Sequence, residues 1–340
     1  MKRLRSFVPS TFQQIEKNYG DINALVDTKM SILKLKANQV TERSLKKLFR
    51  HEVAAIRVPN FFPAEACDYL SESFLEQPTS NWKVSSSRGM ESSDVESIVT
   101  PYNVALGRGP ECIQQYFENA KHFTRSLRKN AGRLNASANA CTTHLDNQGE
   151  GGASHHFIFP TLTPIDLLRL QLDETWPNGA TIGKDTKSGN HLLAGAVRIM
   201  RGGQHGSNNS TSSQGFIHVD DLSVMQDNGG LFSANVYLKT PTYGGGELEI
   251  FPITFRTRYE FIKNAVTLSR LTDPSVEAQE LLRAALPRPL ILTPEPGELI
   301  LICAQRPHAA KGFNFQTGDI RVSMQTFLTY EEGKPIVLDS

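Results

Sequence analysis

The segment His218-Val219-Asp220 places an imidazole and a carboxylate two residues apart. Residues 216–219 have the apolar, alternating character of a short β-strand. Side chains two residues apart on a strand lie on the same face, so both groups can bind a single metal ion. A second histidine from a neighbouring strand would complete a set of two histidines and one carboxylate. That set leaves coordination positions open for a 2-oxo acid and dioxygen, and it is typical of non-haem iron(II) oxygenases.

Two other histidines are candidates for the missing ligand or for a competing site. His308 closely follows the apolar run 299–303, which predicts a strand. The segment His144-Leu145-Asp146 repeats the His-x-Asp spacing, but it lies in a polar, glycine-containing stretch before the strand-rich part of the chain. We therefore predict that His218, Asp220 and His308 bind the metal, and we keep the earlier pair as the alternative.

The last long predicted strand carries Arg321 and Ser323, which share one face because they are two residues apart. A guanidinium can bind a carboxylate through two hydrogen bonds, and a serine hydroxyl can add a third. This combination predicts a receptor for the far carboxylate of 2-oxoglutarate. Asn235 and Tyr237 alternate with apolar residues in another strand, so they either contact 2-oxoglutarate or have a structural role. Arg198 leads toward the same region along the preceding strand.

From residue 191 onward, short apolar runs are separated by glycine and proline, which predicts strands of a sandwich or jelly roll. The predicted strands cover 196–200, 216–219, 232–238, 247–251, 290–293, 299–303 and 320–328. Helical periodicity dominates the part before residue 191. Thr163-Pro164 predicts a helix start there, because threonine caps well and proline fits the first helical turn.

These patterns divide the chain into an N-terminal helical extension at 1–50 and a single catalytic domain at 51–336. Within that domain we expect a jelly-roll core at 191–330, interrupted by a helical insert at 253–287. The loop 202–214, which contains Gln204 and His205, precedes the metal segment. We predict that this loop and the insert frame the substrate entrance. The predicted class is α+β.

The overall composition excludes several kinds of partner. The net charge is +1, which gives no reason to expect nucleic acid or an anionic membrane as a partner. No run of eighteen apolar residues is present, so no membrane span is expected. The 4 cysteines are widely spaced without a CxxC pair, which favours reduced thiols in a cytoplasmic protein. Nothing in the sequence indicates an oligomeric state.

The ordered set of candidate residues and turns resembles the Fe(II)/2-oxoglutarate dioxygenases. It is most similar to their prolyl-4-hydroxylase-like branch and to free-standing halogenases of the welwitindolinone type. The resemblance implies a double-stranded β-helix core and the oxidation of an unactivated C–H bond with Fe(II), 2-oxoglutarate and O2. It is carried by His218-x-Asp220, Gly245-Gly246-Glu247-Leu248, Pro296-Gly297-Glu298-Leu299, His308, Arg321-x-Ser323 and the terminal Phe327–Tyr330.

Two departures from these relatives refine the prediction. The halogenases have glycine or alanine at the carboxylate position, where this chain has Asp220, so we expect hydroxylation or desaturation instead of halogenation. Prolyl hydroxylases hold 2-oxoglutarate with lysine, where this chain has Arg321, so peptidyl-proline chemistry does not follow.

Three functions remain open. The first is hydroxylation of a small molecule, such as an amino acid, a nucleoside or a specialised metabolite. The second is hydroxylation of a protein or peptide. The third is a cupin-like metal-binding protein of another reaction type, against which Arg321-x-Ser323 argues because a plain cupin needs no 2-oxo acid receptor.

Overall fold

The computed structural model describes residues 2–86, 89–145, 162–201, 215–313 and 319–340. The helices are α1 (Lys2–Tyr19), α2 (Glu42–Phe49), α3 (Ala64–Leu75), α4 (Tyr102–Arg108), α5 (Pro110–Leu145), α6 (Pro164–Thr175), α7 (Arg258–Lys263), α8 (Ala265–Leu268) and α9 (Val276–Ala285). The strands are β1 (Ile32–Lys34), β2 (Ala55–Val58), β3 (Ser80–Ser86), β4 (Gly89–Ser97), β5 (Ala180–Ile182), β6 (Ala196–Arg201), β7 (Gly229–Lys239), β8 (Leu248–Ile250), β9 (Leu290–Leu292), β10 (Leu299–Cys303), β11 (His308–Ala310), β12 (Ile320–Glu331) and β13 (Ile336–Asp339).

A large sheet of ten strands forms the centre of the protein, in the order β1-β2-β10-β7-β12-β6-β4-β3, with β13 on β12 and β5 on β13. Its middle is the antiparallel pair β7 and β12, the two longest strands. A small antiparallel sheet has the order β11-β8-β9. The chain is thus a mixed α and β protein built on a large β-sheet.

The two sheets pack face to face through a compact apolar cluster. Strands β7 and β10 contribute residues from the large sheet, and β8 and β9 contribute residues from the small one. The buried side chains from these strands are Tyr237, Ile300, Ile302, Leu248, Ile250 and Leu292. Strand β12 passes beside this cluster and points Arg321 and Ser323 to the same side of the sheet as Tyr237, since directly paired residues share a face.

Helices cover the opposite face of the large sheet. There, Val322, Met324 and Leu328 of β12 belong to a second and larger cluster, to which α2, α3 and α6 contribute their apolar faces. Helix α6 begins as predicted, with Thr163 accepting a hydrogen bond from the Asp166 amide at 3.0 Å. Each fully buried leucine in such a layer contributes about 1.5–3 kcal/mol of transfer free energy. The helical layer therefore holds β12 through one face of the large sheet. The polar side chains of β12 lie on the other face, between the two sheets.

The predicted insert forms α7, α8, a 3-10 turn at Ser269–Thr272, and α9. Helix α7 begins at Thr257, which forms a reciprocal capping box with Glu260. The insert is joined to the N-terminal helix, because Glu16 of α1 accepts a hydrogen bond from the Val266 amide at 2.7 Å. Within the described ranges, no helix is both long enough and apolar enough to pass through a membrane.

Several predicted elements differ from those observed. Residues 216–219 do not form a strand. His218 makes only an isolated bridge to His308, since the backbone pairing does not continue beyond that residue pair. The predicted helical extension also contains a strand, β1, which joins the large sheet beside β2. Strands β5, β11 and β13 and the β3–β4 hairpin were not predicted. The predicted loop 202–214, with Gln204 and His205, lies outside the described residues.

Candidate metal centre

The three predicted metal ligands lie together. The His218 Nε2 atom is 3.7 Å from Asp220 Oδ1, and the His308 Nε2 atom is 3.5 Å from Asp220 Oδ2. One ligand atom from each residue lies within 4.8 Å of the other two. In the described part of the chain, no other group of three histidine, cysteine or acidic side chains meets this condition.

Backbone hydrogen bonds hold the ligand segments in register. The His218 amide donates to the His308 carbonyl at 2.9 Å, and the His308 amide donates back at 2.9 Å. The Asp220 amide donates to the Ala304 carbonyl at 2.9 Å. The carbonyl partners are supplied by β11 and by the residue directly after β10. A short segment therefore takes the place of the predicted strand and is anchored at two alternate residues.

Both histidines make the same kind of contact, in which a backbone carbonyl fixes the tautomer of the ring. His218 Nδ1 lies 3.0 Å from the Phe216 carbonyl, and His308 Nδ1 lies 2.8 Å from the Arg306 carbonyl. A carbonyl only accepts, so each Nδ1 must carry the proton and each Nε2 keeps its lone pair for a metal. The Phe216 ring stacks on His218 at a centroid distance of 5.1 Å. These contacts fix the orientation of both rings.

Burial lowers the pKa of His308, and the nearby His218 lowers it further. The lowered pKa keeps the His308 imidazole neutral, which a metal ligand requires. Two neutral imidazole nitrogens and one carboxylate fit a divalent transition metal such as iron(II). The donor set present is thus chemically suited to the metal that the sequence predicts.

No contact among the described residues brings the alternative metal pair, His144 and Asp146, to this site. His144 lies in the last turn of α5, so its local backbone is helical and not extended. The side chain of His144 and all of Asp146 lie outside the described residues. His218 and Asp220 are therefore the His-x-Asp pair that the structure places beside a third ligand.

Arg321 occupies a buried position on β12, two residues before Ser323. Its side chain donates to the Gly246 carbonyl and to the Tyr237 hydroxyl, both at 3.2 Å. Its guanidinium carbon lies 4.9 Å from the centre of the Tyr237 ring. Among the described residues, no carboxylate forms an ion pair with Arg321. Because a buried guanidinium without a counter-charge is unfavourable, this position is suited to an anionic ligand.

The glycine turn predicted at 244–246 shapes one wall of this position. Gly245 and Gly246 have positive φ values of 87° and 73°, which favour glycine. A Cβ atom on Gly245 would lie 2.7 Å from the Gly312 carbonyl oxygen. The turn also leads directly into β8, which pairs with β11, the strand that begins with His308. The turn that contacts Arg321 and the strand that carries His308 are thus connected through the small sheet.

The remaining predicted residues have different surroundings. Ser323 is buried and lies opposite Tyr237 on β7 and opposite Arg198 on β6, so it shares the Arg321 face. Asn235 lies further along β7, where its amide donates to Ser233 Oγ at 3.1 Å. The structure therefore groups Arg321, Ser323 and Tyr237, and leaves Asn235 in a separate polar network.

That network joins Arg198, which was predicted to lie near this region, to Gln325 and Ser233, which were not predicted. Arg198 Nε donates to Gln325 Oε1 at 2.9 Å, and Gln325 Nε2 donates to Ser233 Oγ at 3.0 Å. Burial lowers the pKa of Arg198 to about 9, while the charge of Asp220 acts in the opposite direction. The guanidinium of Arg198 therefore lies within the electrostatic reach of a metal ligand. The signal for Gln325 was its two-residue spacing from Ser323.

A separate cleft of about 850 Å³ lies between α5 and α6. Its wall includes Phe117, Leu127, Ile165 and Leu192, and none of the predicted site residues. Its volume alone does not make it a substrate site, because the convergent polar groups lie elsewhere.

No family model and no curated protein matches the chain. Among solved structures, it is similar to an N-substituted L-amino acid dioxygenase from Burkholderia ambifaria AMMD in complex with alpha-KG. That match has 12% identity and a TM-score of 0.43, and it covers 88% of this chain and 90% of the other.

Two further solved structures show a comparable likeness. The carbocyclase SnoK from nogalamycin biosynthesis, described as non-heme and alpha ketoglutarate dependent, has 10% identity and a TM-score of 0.42, covering 88% of this chain and 87% of that chain. HygX from Streptomyces hygroscopicus, with nickel and 2-oxoglutarate bound, has 8% identity and a TM-score of 0.41. That match covers 87% of this chain and 89% of that chain. At such low identities and TM-scores, the reaction and the substrate are inferred from the residues of the site.

Proposed function

We propose that this protein is an Fe(II)/2-oxoglutarate-dependent oxygenase that hydroxylates or desaturates an unactivated C–H bond of a small molecule. In the hydroxylation, substrate, 2-oxoglutarate and O2 give hydroxylated product, succinate and CO2. The observation that carries this proposal is a pair of features. Two histidines and Asp220 converge through free Nε2 and carboxylate atoms. A buried arginine without a described acidic partner contacts the turn that leads into β8, the strand paired with β11, which carries His308.

In this proposal His218, Asp220 and His308 hold the iron. Iron(II), when bound, supplies the means of activating O2, with the 2-oxo acid as the source of electrons. The Nδ1–H groups of both histidines keep donating to the carbonyls that fix the rings, so the ligands do not need to reorient. Asp220 occupies the carboxylate position that halogenases leave free for chloride, which supports transfer of oxygen or loss of hydrogen.

Arg321 binds the far carboxylate of 2-oxoglutarate in this proposal. Its Nη2 donates to the Tyr237 oxygen, so the Tyr237 hydroxyl proton is free to donate to the same carboxylate. Ser323, on the same face, supplies a further hydroxyl. Asn235, whose Nδ2 donates to Ser233, lies on the same face of β7 as Tyr237 and stays a candidate for contacting 2-oxoglutarate.

The face-to-face packing of the large and small sheets supports a double-stranded β-helix, or jelly-roll, core at residues 191–330. The boundary between an extension at 1–50 and a catalytic domain at 51–336 stays a prediction. We also retain the prediction that the insert 253–287 and the loop 202–214 frame the substrate entrance. Replacing either segment should change substrate choice while substrate-independent decay of 2-oxoglutarate continues.

The substrate class of this proposal is an amino acid, a nucleoside or a specialised metabolite. The test is a substrate panel that measures succinate release and product mass with the iron-loaded enzyme. Substrate-dependent succinate release together with a product heavier by one oxygen, or lighter by two hydrogens, would support it. A peptide panel run in parallel tests the alternative of a protein or peptide hydroxylase. Absence of any 2-oxoglutarate turnover by iron-loaded protein would contradict the proposal.

A further inference from the structure

Gln279 of α9 is a buried residue whose amide contacts the backbone directly before a metal ligand. Its Oε1 accepts a hydrogen bond from the Ile217 amide at 2.7 Å, and its Nε2 lies 3.3 Å from the Ile217 carbonyl. The same Nε2 lies within hydrogen-bond distance of the carbonyls of Asp273 and Arg270, at 2.9 and 3.2 Å. A buried amide is costly unless it is hydrogen-bonded, and this one is bonded on both sides.

The hydrogen bond between Gln279 and the Ile217 amide is connected to the imidazole of His218 through one peptide group. The Ile217 N–H belongs to the same peptide group as the Phe216 carbonyl, and that carbonyl accepts the proton of His218 Nδ1. A continuous path thus runs from Gln279 Oε1, through one peptide group, to His218. Hydrogen bonds in such a chain polarise one another. Donation of the amide proton to Gln279 makes the Phe216 carbonyl a stronger acceptor for the imidazole.

The hydrogen bond between Gln279 and the Ile217 carbonyl is connected to His308 through the next peptide group. The Ile217 carbonyl belongs to the same peptide group as the His218 N–H, which donates to the His308 carbonyl at 2.9 Å. Gln279 therefore holds the two successive peptide groups that flank Ile217. One of them fixes the ring of His218, and the other joins the two ligand-bearing segments.

We propose that Gln279 is a positioning residue for the metal centre, which fixes the orientation and the Nδ1–H tautomer of His218 through the backbone of Ile217. The proposal rests on the assignment of His218 as a ligand under the proposed function. It gives the helical insert a role in the metal centre, because α9 contacts Ile217, 62 residues earlier in the chain and directly before the ligand His218. The competing explanation is that Gln279 only holds the insert together through Arg270 and Asp273.

The two explanations differ in a measurement that needs neither metal nor activity. In metal-free protein, ¹⁵N NMR of the histidine rings reports which nitrogen carries the proton. We expect His218 in the wild type to be the Nδ1–H tautomer. In Gln279→Met, which keeps a side chain of similar length without the amide, we expect a mixture of tautomers. Leu282→Ala is the matched control, because Leu282 is fully buried on the same helix and makes no contact with Ile217 through an amide.

Metal affinity provides the second readout. Loss of an outer hydrogen-bond partner typically weakens metal binding about 10–100-fold. Because Gln279 acts through one intervening peptide, we expect a loss of about tenfold for Co(II) or Fe(II) in Gln279→Met, and little change in Leu282→Ala. If Gln279→Met has the wild-type tautomer and affinity, or if the control shifts both equally, the positioning role is wrong.

If Gln279→Met does not fold, the tautomer of His218 in the wild type still tests the proposal. A His218 ring protonated on Nε2 in metal-free wild type would overturn it. These outcomes are separate from those of the proposed function. A correct tautomer in a protein that binds iron but turns over no 2-oxoglutarate would leave the role of Gln279 intact and refute the oxygenase.

Discussion

The peptide groups of His218 and His308 exchange two hydrogen bonds of 2.9 Å each, and their imidazole centroids lie 4.5 Å apart. One residue pair is therefore enough to bring together two metal ligands from segments 90 residues apart, without a continuous strand around His218. The positions of the rings follow from the backbone, and each ring is then fixed by the carbonyl two residues before it.

Arg321 should be needed for 2-oxoglutarate and not for iron. In Arg321→Met we expect the KM for 2-oxoglutarate to rise, corresponding to about 2–5 kcal/mol of lost binding, because a buried carboxylate would lose its charged partner. Iron affinity should stay close to the wild-type value. Arg283→Met, which removes an arginine paired with Glu249 at 2.8 Å, is the control and should leave the KM unchanged. An unaltered KM in Arg321→Met would remove this residue from the role.

The same variant should show an unusual effect on stability. Among the described residues Arg321 has no acidic partner, so its replacement by methionine should leave the ligand-free protein as stable as the wild type, or more so. Added 2-oxoglutarate should raise the Tm of the iron-loaded wild type and not that of the variant, because a ligand stabilises only the folded state that binds it. Thermal unfolding with and without 2-oxoglutarate measures both effects. A large loss of stability in the ligand-free variant would show that Arg321 has a structural role.

His51 should make the protein less stable in acid. Burial and the charge of Arg306 lower the pKa of His51 from 6.5 to about 4. Between these values the unfolded chain binds a proton that the folded protein does not, so stability falls as the pH falls from 6.5 to 4. The full contribution is about 3 kcal/mol. His51 has a φ of 62°, which asparagine tolerates, so His51→Asn is the suitable variant. Urea unfolding at both pH values should show a smaller pH dependence in this variant; an equal dependence would contradict the prediction.

Glu16 should tie the N-terminal helix to the insert. Its carboxylate accepts hydrogen bonds from the amides of Val266 and Thr267 at 2.7 and 3.1 Å. Glu16→Ala leaves these donors without their partner, so we expect a loss of about 1–3 kcal/mol in the free energy of unfolding. Glu42→Ala is the control, since it removes an exposed pair with Lys46 that contributes about 0–1 kcal/mol. Equal effects of the two substitutions would mean that the N-terminal helix is not anchored through Glu16.

The outcome of the reaction should be independent of chloride. With Asp220 in the carboxylate position, the native enzyme in chloride-rich buffer should give a product that has gained oxygen or lost hydrogen. Asp220→Gly opens that position, but we expect little halogenation, because the surroundings were not formed to hold the anion. Product mass spectrometry distinguishes these results. A chlorinated product from the native enzyme would show that Asp220 is not a ligand.

Part of the geometry of the candidate site was predictable from the sequence, because residues two apart on a strand point to the same face. The spacing of Arg321 and Ser323 correctly predicted a shared face on β12. The spacing of His218 and Asp220 correctly predicted that their side chains meet, although the segment between them is fixed by single backbone contacts and not by a strand.

Other features depended on contacts that sequence patterns do not contain. The hairpin of β3 and β4 is rich in serine and glutamate, which have low strand propensity, so no strand was predicted there. Strand β13 follows the positive-φ turn at Gly333 and is only four residues long. The contact of Gln279 with Ile217 joins a helix to a distant segment, and no local periodicity indicates such a pairing.

The assignment of one iron ion to His218, Asp220 and His308 is the basis of the proposed function. Its most direct test is an anaerobic titration of metal-free protein with Fe(II) in the presence of 2-oxoglutarate, monitored by the visible charge-transfer absorption of the complex. We predict saturation at one iron per chain for the wild type and for His144→Ala, and loss of the absorption in His218→Ala, Asp220→Ala and His308→Ala. Wild-type protein that takes up no iron, or triad variants that bind it like the wild type while His144→Ala does not, would contradict the claim.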